Sequence, residues 1–305
     1  MASYPPKAPE TGATFISRTH NTTYPAISPA THSTLANRAV FITGASRGIG
    51  LAIARSCVAA GCTRLALAAN DTSASSATLT AAIAPCAPPA TRAALRVLFF
   101  ALDVRDARAV EAAAAATARA FGGLDVLVNN AGYMPPWAPI SGADSDPDAW
   151  WSALEINLRG THLATRAFVP LLLARGESGL KTIVNVSSTG ALALRAGASA
   201  YQVSKMAVLK FTESVVTEYA GRGLLCYAVH PGSVRTELGL SIPESMYNVL
   251  TDTPELAGDT VVFLAHERRE WLAGRLINCN WDMPEFLQKE KEIVEGDKLK
   301  VRLVV

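Results

Sequence analysis

The sequence predicts a single α/β domain built on a doubly wound, seven-stranded parallel sheet. Three observations predict it. Seven short apolar or β-branched runs follow one another along the chain, and most are apolar at successive positions, as strands buried on both faces read. Helix-like stretches lie between these runs, and strand and helix alternating this often make a doubly wound sheet. A glycine-rich turn joins the first run to the first helix.

The elements follow in order. Met1 to Asn37 is rich in Pro, Thr and Ser without clean periodicity, and is expected to form an irregular arm that either wraps the domain or frays. Strands are expected at Ala39–Thr43, Arg64–Ala69, Val97–Ala101, Val126–Asn129, Thr182–Val186, Leu225–Val229 and Leu276–Cys279. Helices are expected at Ile49–Ala60, Ala107–Phe121, Asp148–Arg175, Ala200–Gly221 and Pro254–Ala265. The alanine-rich Glu111–Ala120 stretch is helical by propensity alone. Thr72 to Arg92, with Pro85, Pro88 and Pro89, reads as a loose excursion between the second and third strands. Gly232 to Thr253 breaks the rhythm with Gly239, Pro243 and several apolar residues, and reads as a segment bordering the substrate. Glu285 to Leu303 is a charged tail with a helical look. No linker and no internal repeat divides the chain, so residues 38–305 read as one domain.

At 305 residues, 50% hydrophobic and 18% charged, the chain has ample material for a core, which excludes global disorder. Its 28 basic and 26 acidic residues leave a net charge of +2, no surplus for a phosphate backbone, so nucleic-acid binding has no support. No apolar run approaches the roughly 20 residues of a membrane span. Cys57, Cys62, Cys86, Cys226 and Cys279 include no CxxC pair, which argues against a disulfide framework or a zinc site. Met1–Pro9 is polar and proline-rich, without the apolar stretch of a secretory signal. The expectation is a cytoplasmic protein.

The first strand runs into Thr43-Gly44-Ala45-Ser46-Arg47-Gly48-Ile49-Gly50 and then a helix. Gly44 permits a sharp turn. Gly48 removes a side chain where a pyrophosphate must approach the backbone, and Gly50 lets the helix pack against the strand. The helix N-terminus then offers free N–H groups and a partial positive charge.

This spacing, TGxxxGxG, resembles the short-chain dehydrogenase/reductase family, whose fold is of Rossmann type, and the resemblance continues over about Arg38 to Trp281. Asp103-Val104 follows the third strand, where the family places an acidic residue near the adenine. Asn129-Asn130-Ala131-Gly132 matches its NNAG segment. Asn157 stands where the family has its structural and catalytic asparagine. Ser188 ends the fifth strand, Tyr201-Gln202-Val203-Ser204-Lys205 matches YxxxK, and Pro231-Gly232-Ser233-Val234-Arg235-Thr236 matches the PG segment. The tail from Trp281-Asp282-Met283 looks like that of fungal members. The resemblance implies catalysis by Asn157, Ser188, Tyr201 and Lys205. It also implies a nicotinamide dinucleotide held by Gly44, Ser46, Arg47, Gly48, Ile49, Gly50, Asn70, Asp103, Val104, Asn130, Ala131, Gly132, Tyr201, Lys205, Pro231, Gly232, Val234 and Thr236.

Tyr201 and Lys205 are four apart on a helix and share one face. A free tyrosine is a poor proton donor or acceptor at neutral pH, and a cation one turn away is expected to lower its pKa. Ser188, at the carboxyl edge of a buried strand, would hold the substrate oxygen and stabilise developing negative charge. Ser187 is the rival assignment, and Ser188 is favoured because its spacing to Tyr201 fits the family. By the same resemblance Lys205 also reaches a cofactor ribose, and Asn157 fixes a backbone bend and a proton-relaying water. Asp125 reads as a helper that pins the Asn-rich segment, and His230 as a tucked strand-end histidine. His20, His32, His162 and His266 form no ligand spacing, so no metal is expected.

The favoured function is an NADPH-dependent oxidoreductase interconverting a carbonyl and an alcohol on a small-to-medium apolar substrate, such as a secondary metabolite. The alternatives are a non-redox isomerase or cyclase using the same pocket, and a cofactor-bound sensor. The expected apolar lining is Met134, Pro135, Trp137, Leu192, Leu194, Leu238, Leu240, Ile242, Met246 and Tyr247. NADP is preferred because Ala69 stands where an NAD site places an acid, Asn70 is neutral, and Arg47 supplies a cation. NAD is the alternative, since Asp71 would favour it if its carboxylate took that place. A homodimer or homotetramer is expected from the apolar residues spread around Asp148–Arg175 and Ala200–Gly221.

Overall fold

Strand β1 (Ala39–Thr43) lies at the centre of the sheet, all five residues buried. The computed structural model describes residues 11–71 and 73–303. The readings of Met1–Pro9 and of Thr72 lie outside the described residues. The other strands are β2 (Arg64–Ala69), β3 (Arg96–Ala101), β4 (Val126–Asn129), β5 (Thr182–Val186), β6 (Leu225–His230) and β7 (Leu276–Asn278). All seven pair in parallel, in the order β3-β2-β1-β4-β5-β6-β7. The order reverses between β1 and β4, and a crevice opens at the carboxyl ends of such a sheet.

Both faces are covered because successive residues of one strand point to opposite sides. Val40 and Ile42 pack with Leu65, Leu67, Val184 and Val229 beneath α1 (Gly48–Ala59) and α8 (Pro254–Ala265). Phe41 packs with Leu127, Ile183 and Cys226 beneath α4 (Ala107–Phe121) and α6 (Thr161–Leu173), with Val215 of α7 (Ser199–Tyr219) beside them. This is why the strands read as unbroken apolar runs.

Two expectations need correction. The stretch after β2 is not a loose excursion: it contains α2 (Ser76–Ile83) and a one-turn α3 (Pro89–Arg92). Ser75 caps α2 reciprocally with Thr78, a capping box with threonine in place of the usual Glu or Gln. The helix expected at Asp148–Arg175 is interrupted. α5 (Pro147–Leu154) passes into a π turn at Glu155–Gly160 before α6 begins. Such a turn inserts one extra residue and re-aims the side chains around it.

The arm and the tail pack against each other. The tail folds into α9 (Met283–Gln288) and α10 (Glu290–Glu295), and it buries Met283, Phe286 and Ile293. In the arm, Ile16, Ile27 and Leu35 are buried in the same core. The backbone N–H groups of Ser17 and Arg18 donate to Glu285, and the Tyr24 hydroxyl donates to the carbonyl of Trp281.

Candidate active site

A cleft of about 1720 Å³ runs along the carboxyl edge of the sheet. Its floor begins at the turn after β1. Gly44 has φ +64, where a side chain is strained, and a Cβ there would lie 2.8 Å from the Ala131 Cα. At Gly50 a Cβ would lie 2.2 Å from the Gly44 carbonyl oxygen, so only glycine lets α1 start this close to β1. Asn130 locks the turn, its Nδ2 donating to the carbonyls of Thr43 and Gly44 at 3.0 Å each. The Thr43 hydroxyl in turn accepts from the N–H groups of Asn130 and Ala131. The result is a cradle of backbone at a helix N-terminus, the donor set that suits a pyrophosphate.

Every residue expected to hold the dinucleotide lines this cleft, and so do Ser188, Tyr201 and Lys205. Asn157 does not; it lies beneath the cleft wall, 1% exposed. Its Oδ1 accepts from the Tyr133 N–H, and its Nδ2 donates to the Tyr133 carbonyl and to Ser204 Oγ, each at 2.8 Å. The π turn aims this side chain at two other elements. Ser204, fully buried, was not singled out in the sequence, although it lies inside the YxxxK run.

The two candidate serines separate by orientation. Ser187 Oγ points into the protein and donates to the Lys205 carbonyl at 2.9 Å. Ser188 Oγ accepts from the Gly190 N–H at 2.9 Å and hydrogen-bonds the Tyr201 phenol. Lys205 Nζ donates to the Val186 carbonyl at 2.8 Å and lies 5.7 Å from the centre of the Tyr201 ring. Burial sets the titration of both groups. It pushes Tyr201 up to about 12, opposed by the Ser188 hydrogen bond, and Lys205 down to about 8. The expected lowering of the phenol by its neighbouring cation is corrected: burial raises the phenol, and what opposes it is the Ser188 hydrogen bond. His230 is buried at the end of β6, and burial drives it down to about 4, so it is neutral at physiological pH.

Where β2 ends, Ala69 and Asn70 line the cleft. Asp71 Oδ1 accepts from the N–H and hydroxyl of Ser73. These bonds, with smaller contributions from Ser46 and Arg47, hold the Asp71 carboxyl below its ordinary range. Asp103 takes a bidentate contact from Arg105, which lowers its carboxyl as well. Arg47 Nε meets Glu237 Oε2 at 2.8 Å, both side chains largely exposed. Glu237 had no sequence signal, because it sits in a different loop from the glycine turn.

Asp125 is corrected. It precedes β4 at the opposite edge of the sheet, where it receives Arg38, Arg175 and the Ala39 N–H, and so ties strand starts together rather than the Asn-rich segment. Of the expected apolar lining, Met134, Trp137, Leu194, Leu238, Ile242 and Met246 face the cleft. Pro135 is buried, Leu192 packs on the cluster of Leu209 and Ala228, and Leu240 is exposed. Tyr247 lies under Arg235 and donates to the Leu240 carbonyl. Among the described residues no group of His, Cys, Asp or Glu could hold a metal, and no helix is long and apolar enough to cross a membrane.

A family model described as short chain dehydrogenase matches residues 38–246. The chain belongs to the short-chain dehydrogenase/reductase family. It is 48% identical to the short chain dehydrogenase mpl6 of Monascus purpureus, across 99% of this chain and 100% of that one. Among solved structures it is similar to levodione reductase, with a TM-score of 0.70 and 25% identity over 80% of this chain and 96% of that one. It is similar too to a 3-ketoacyl-(acyl-carrier-protein) reductase from Brucella melitensis complexed with NADH, with a TM-score of 0.67, 25% identity, and coverage of 80% and 97%. This short-chain dehydrogenase/reductase is therefore an NAD(P)-dependent oxidoreductase.

Proposed function

We propose that this enzyme reduces the carbonyl of a small-to-medium apolar ketone or aldehyde to an alcohol, with NADPH as its cofactor. The observation that carries this reading is the meeting of Ser188, Tyr201 and Lys205 in one cleft with the glycine cradle. The nicotinamide, when bound, supplies the hydride. Ser188 and the Tyr201 phenol hold the carbonyl oxygen between them. Tyr201, a neutral phenol at physiological pH, gives its proton to that oxygen as negative charge develops. Lys205 provides the cation behind the phenol, and Asn157 holds Tyr133 and Ser204, and so α7, in place. Met134, Trp137, Leu238, Ile242 and Met246 support an apolar substrate. The test is NADPH oxidation against a panel of aldehydes, ketones and quinones. Apolar ketones are the expected substrates; efficient use of sugar-like carbonyls with apolar ketones ignored overturns the reading.

The NADPH preference is supported by Ala69 and Asn70 in the cleft wall and by an Asp71 carboxylate engaged with Ser73. Arg47, whose exposed pairing with Glu237 a 2′-phosphate would displace, is the cation proposed to meet that phosphate. Arg47→Ala is expected to lower kcat/KM for NADPH by about tenfold, the scale of one charge-assisted hydrogen bond, while NADH use changes little. Wild-type efficiency with NADH equal to that with NADPH contradicts the preference.

A homodimer or homotetramer belongs to the same proposal. Leu163, Phe168, Leu172, Val208 and Val215 are covered within the chain, whereas on α5 and α7 Trp150, Leu154, Phe211 and Val216 are half-buried and Trp151 (57% exposed) and Val203 (47% exposed) are exposed, and these support it. Light scattering at micromolar concentration should give at least twice the chain mass; a strictly monomeric mass refutes it. A cytoplasmic location is part of this reading, supported by five free cysteines.

A further inference from the structure

We propose that Asn21 and Asp252 are positioning residues that clasp the base of the segment covering the cleft, so that the N-terminal arm is a working part of the active site. The proposal rests on the reading of residues 232–253 as the substrate-bordering segment. That segment leaves β6 at Pro231 and reaches α8 at Pro254, with short 3-10 turns at Gly239–Ser241 and Glu244–Val249 between. Its two ends are joined. The Asp252 N–H donates to the Ser233 carbonyl at 3.1 Å, and the Ser233 N–H donates to Asp252 Oδ2 at 2.5 Å. Val234 and Asp252 form a parallel bridge at the same place.

The arm supplies the outer half of the clasp. Asn21 Nδ2 donates to Asp252 Oδ1 at 2.6 Å and to Thr251 Oγ1 at 3.0 Å, and the Asn21 carbonyl accepts from the Thr253 N–H at 2.9 Å. One carboxylate thus binds both the near end of the segment and a residue 231 positions away. Asp252 is 8% exposed and lines the same cleft as Tyr201, as do Thr19, His20 and Asn21. Asn21 is held on both sides, because His20 bonds Asp282 at 2.9 Å and the Thr23 hydroxyl bonds Asp259 of α8. Neither Asn21 nor Asp252 falls within the family match of residues 38–246, so the clasp is an addition to what that match covers.

The clasp has a defined consequence. Leu238, Ile242 and Met246 reach the cleft from inside the clasped segment, whereas Ser188, Tyr201 and Lys205 stand on β5 and α7. Loosening the base should displace the apolar wall and leave the proton donor where it is. That predicts a change in KM with kcat largely kept.

The experiment compares the full wild-type chain with Asn21→Ala and Asn21→Asp by hydrogen–deuterium exchange and by NADPH oxidation with 2-decanone as the probe ketone. In both variants the amides of residues 232–253 should exchange about tenfold faster while those of the central strands keep their protection. Asn21→Asp, which faces one carboxylate with another, should loosen the segment at least as much as Asn21→Ala. KM for 2-decanone should rise about fivefold, with kcat within about twofold at saturating NADPH. Unchanged exchange in both variants overturns the proposal, as does acceleration spread evenly over the sheet, or a fall in kcat without a rise in KM. A wild-type chain that oxidises no NADPH with any ketone sinks the functional reading instead, and the exchange comparison still decides whether the clasp exists.

Discussion

Tyr201→Phe is expected to lower kcat by roughly 10³–10⁴-fold, the upper part of the range for removing a positioned general acid. The phenol is buried, bonded to Ser188, and held at a pKa of about 12, so it is fully protonated at neutral pH and ready to donate. Phenylalanine keeps the ring volume and loses only the hydroxyl. NADPH affinity, read by fluorescence, should therefore stay within about twofold, because the ring still fills its site beside Lys205. Substantial turnover by the variant sinks the proposed mechanism. A loss of cofactor binding equal to the loss of turnover would show that the hydroxyl serves the cofactor rather than the substrate oxygen.

Lys205→Met should remove activity and raise stability. The ammonium is 4% exposed and its pKa falls from 10.5 to about 8, with burial as the cause. The folded state therefore disfavours the charged form. Below pH 8 the lysine is protonated both folded and unfolded, and the folded chain carries the full cost. Between pH 8 and 10.5 the unfolded chain holds the proton more tightly, so stability rises with pH across that window. The whole difference corresponds to about 3 kcal/mol. Methionine has similar volume and no charge. It leaves the Val186 carbonyl without its donor, a loss of about 1 kcal/mol. The net expectation at pH 7 is a gain of about 2 kcal/mol, or about 3 °C in Tm for a chain of 305 residues. The variant's stability should also lose the rise between pH 8 and 10.5. Thermal unfolding at pH 7 and pH 10 tests both statements; a less stable variant at pH 7 contradicts them. A destabilising charge retained in a cleft is a common cost of catalytic function.

The strand and helix pattern was legible because it is local. β1, β2, β4 and β5 have the bounds that their apolar runs suggested, as do α4 and α8. The differences come from signals that local reading weighs poorly. α2 was missed because three nearby prolines suggested a loop, while its cap used threonine at the third position. The π turn has no clear local signal because apolar residues spread around Asp148–Arg175, and that spread hides the phase change of about 100° that one inserted residue makes.

By sequence alone, this protein was determined to be a seven-stranded doubly wound domain with a glycine turn after β1 and a Tyr–Lys pair four residues apart on one helix. Those features are set by spacing along the chain, and a strand or a helix turn converts spacing into geometry directly. Only the tertiary structure decided that Ser188 rather than Ser187 faces the phenol, and that Asn157 is aimed at Tyr133 and Ser204. It also decided that Glu237 meets Arg47, that Asp125 ties the far edge of the sheet, and that Asn21 closes on Asp252. The physical reason is common to all of them. Each turns on where one side chain points relative to an element distant in sequence. Adjacent residues such as Ser187 and Ser188 differ in that respect by half a strand repeat, and which hydroxyl meets the phenol is settled by the packing of β5 between its neighbours and α7, which turns Ser187 to the Lys205 carbonyl.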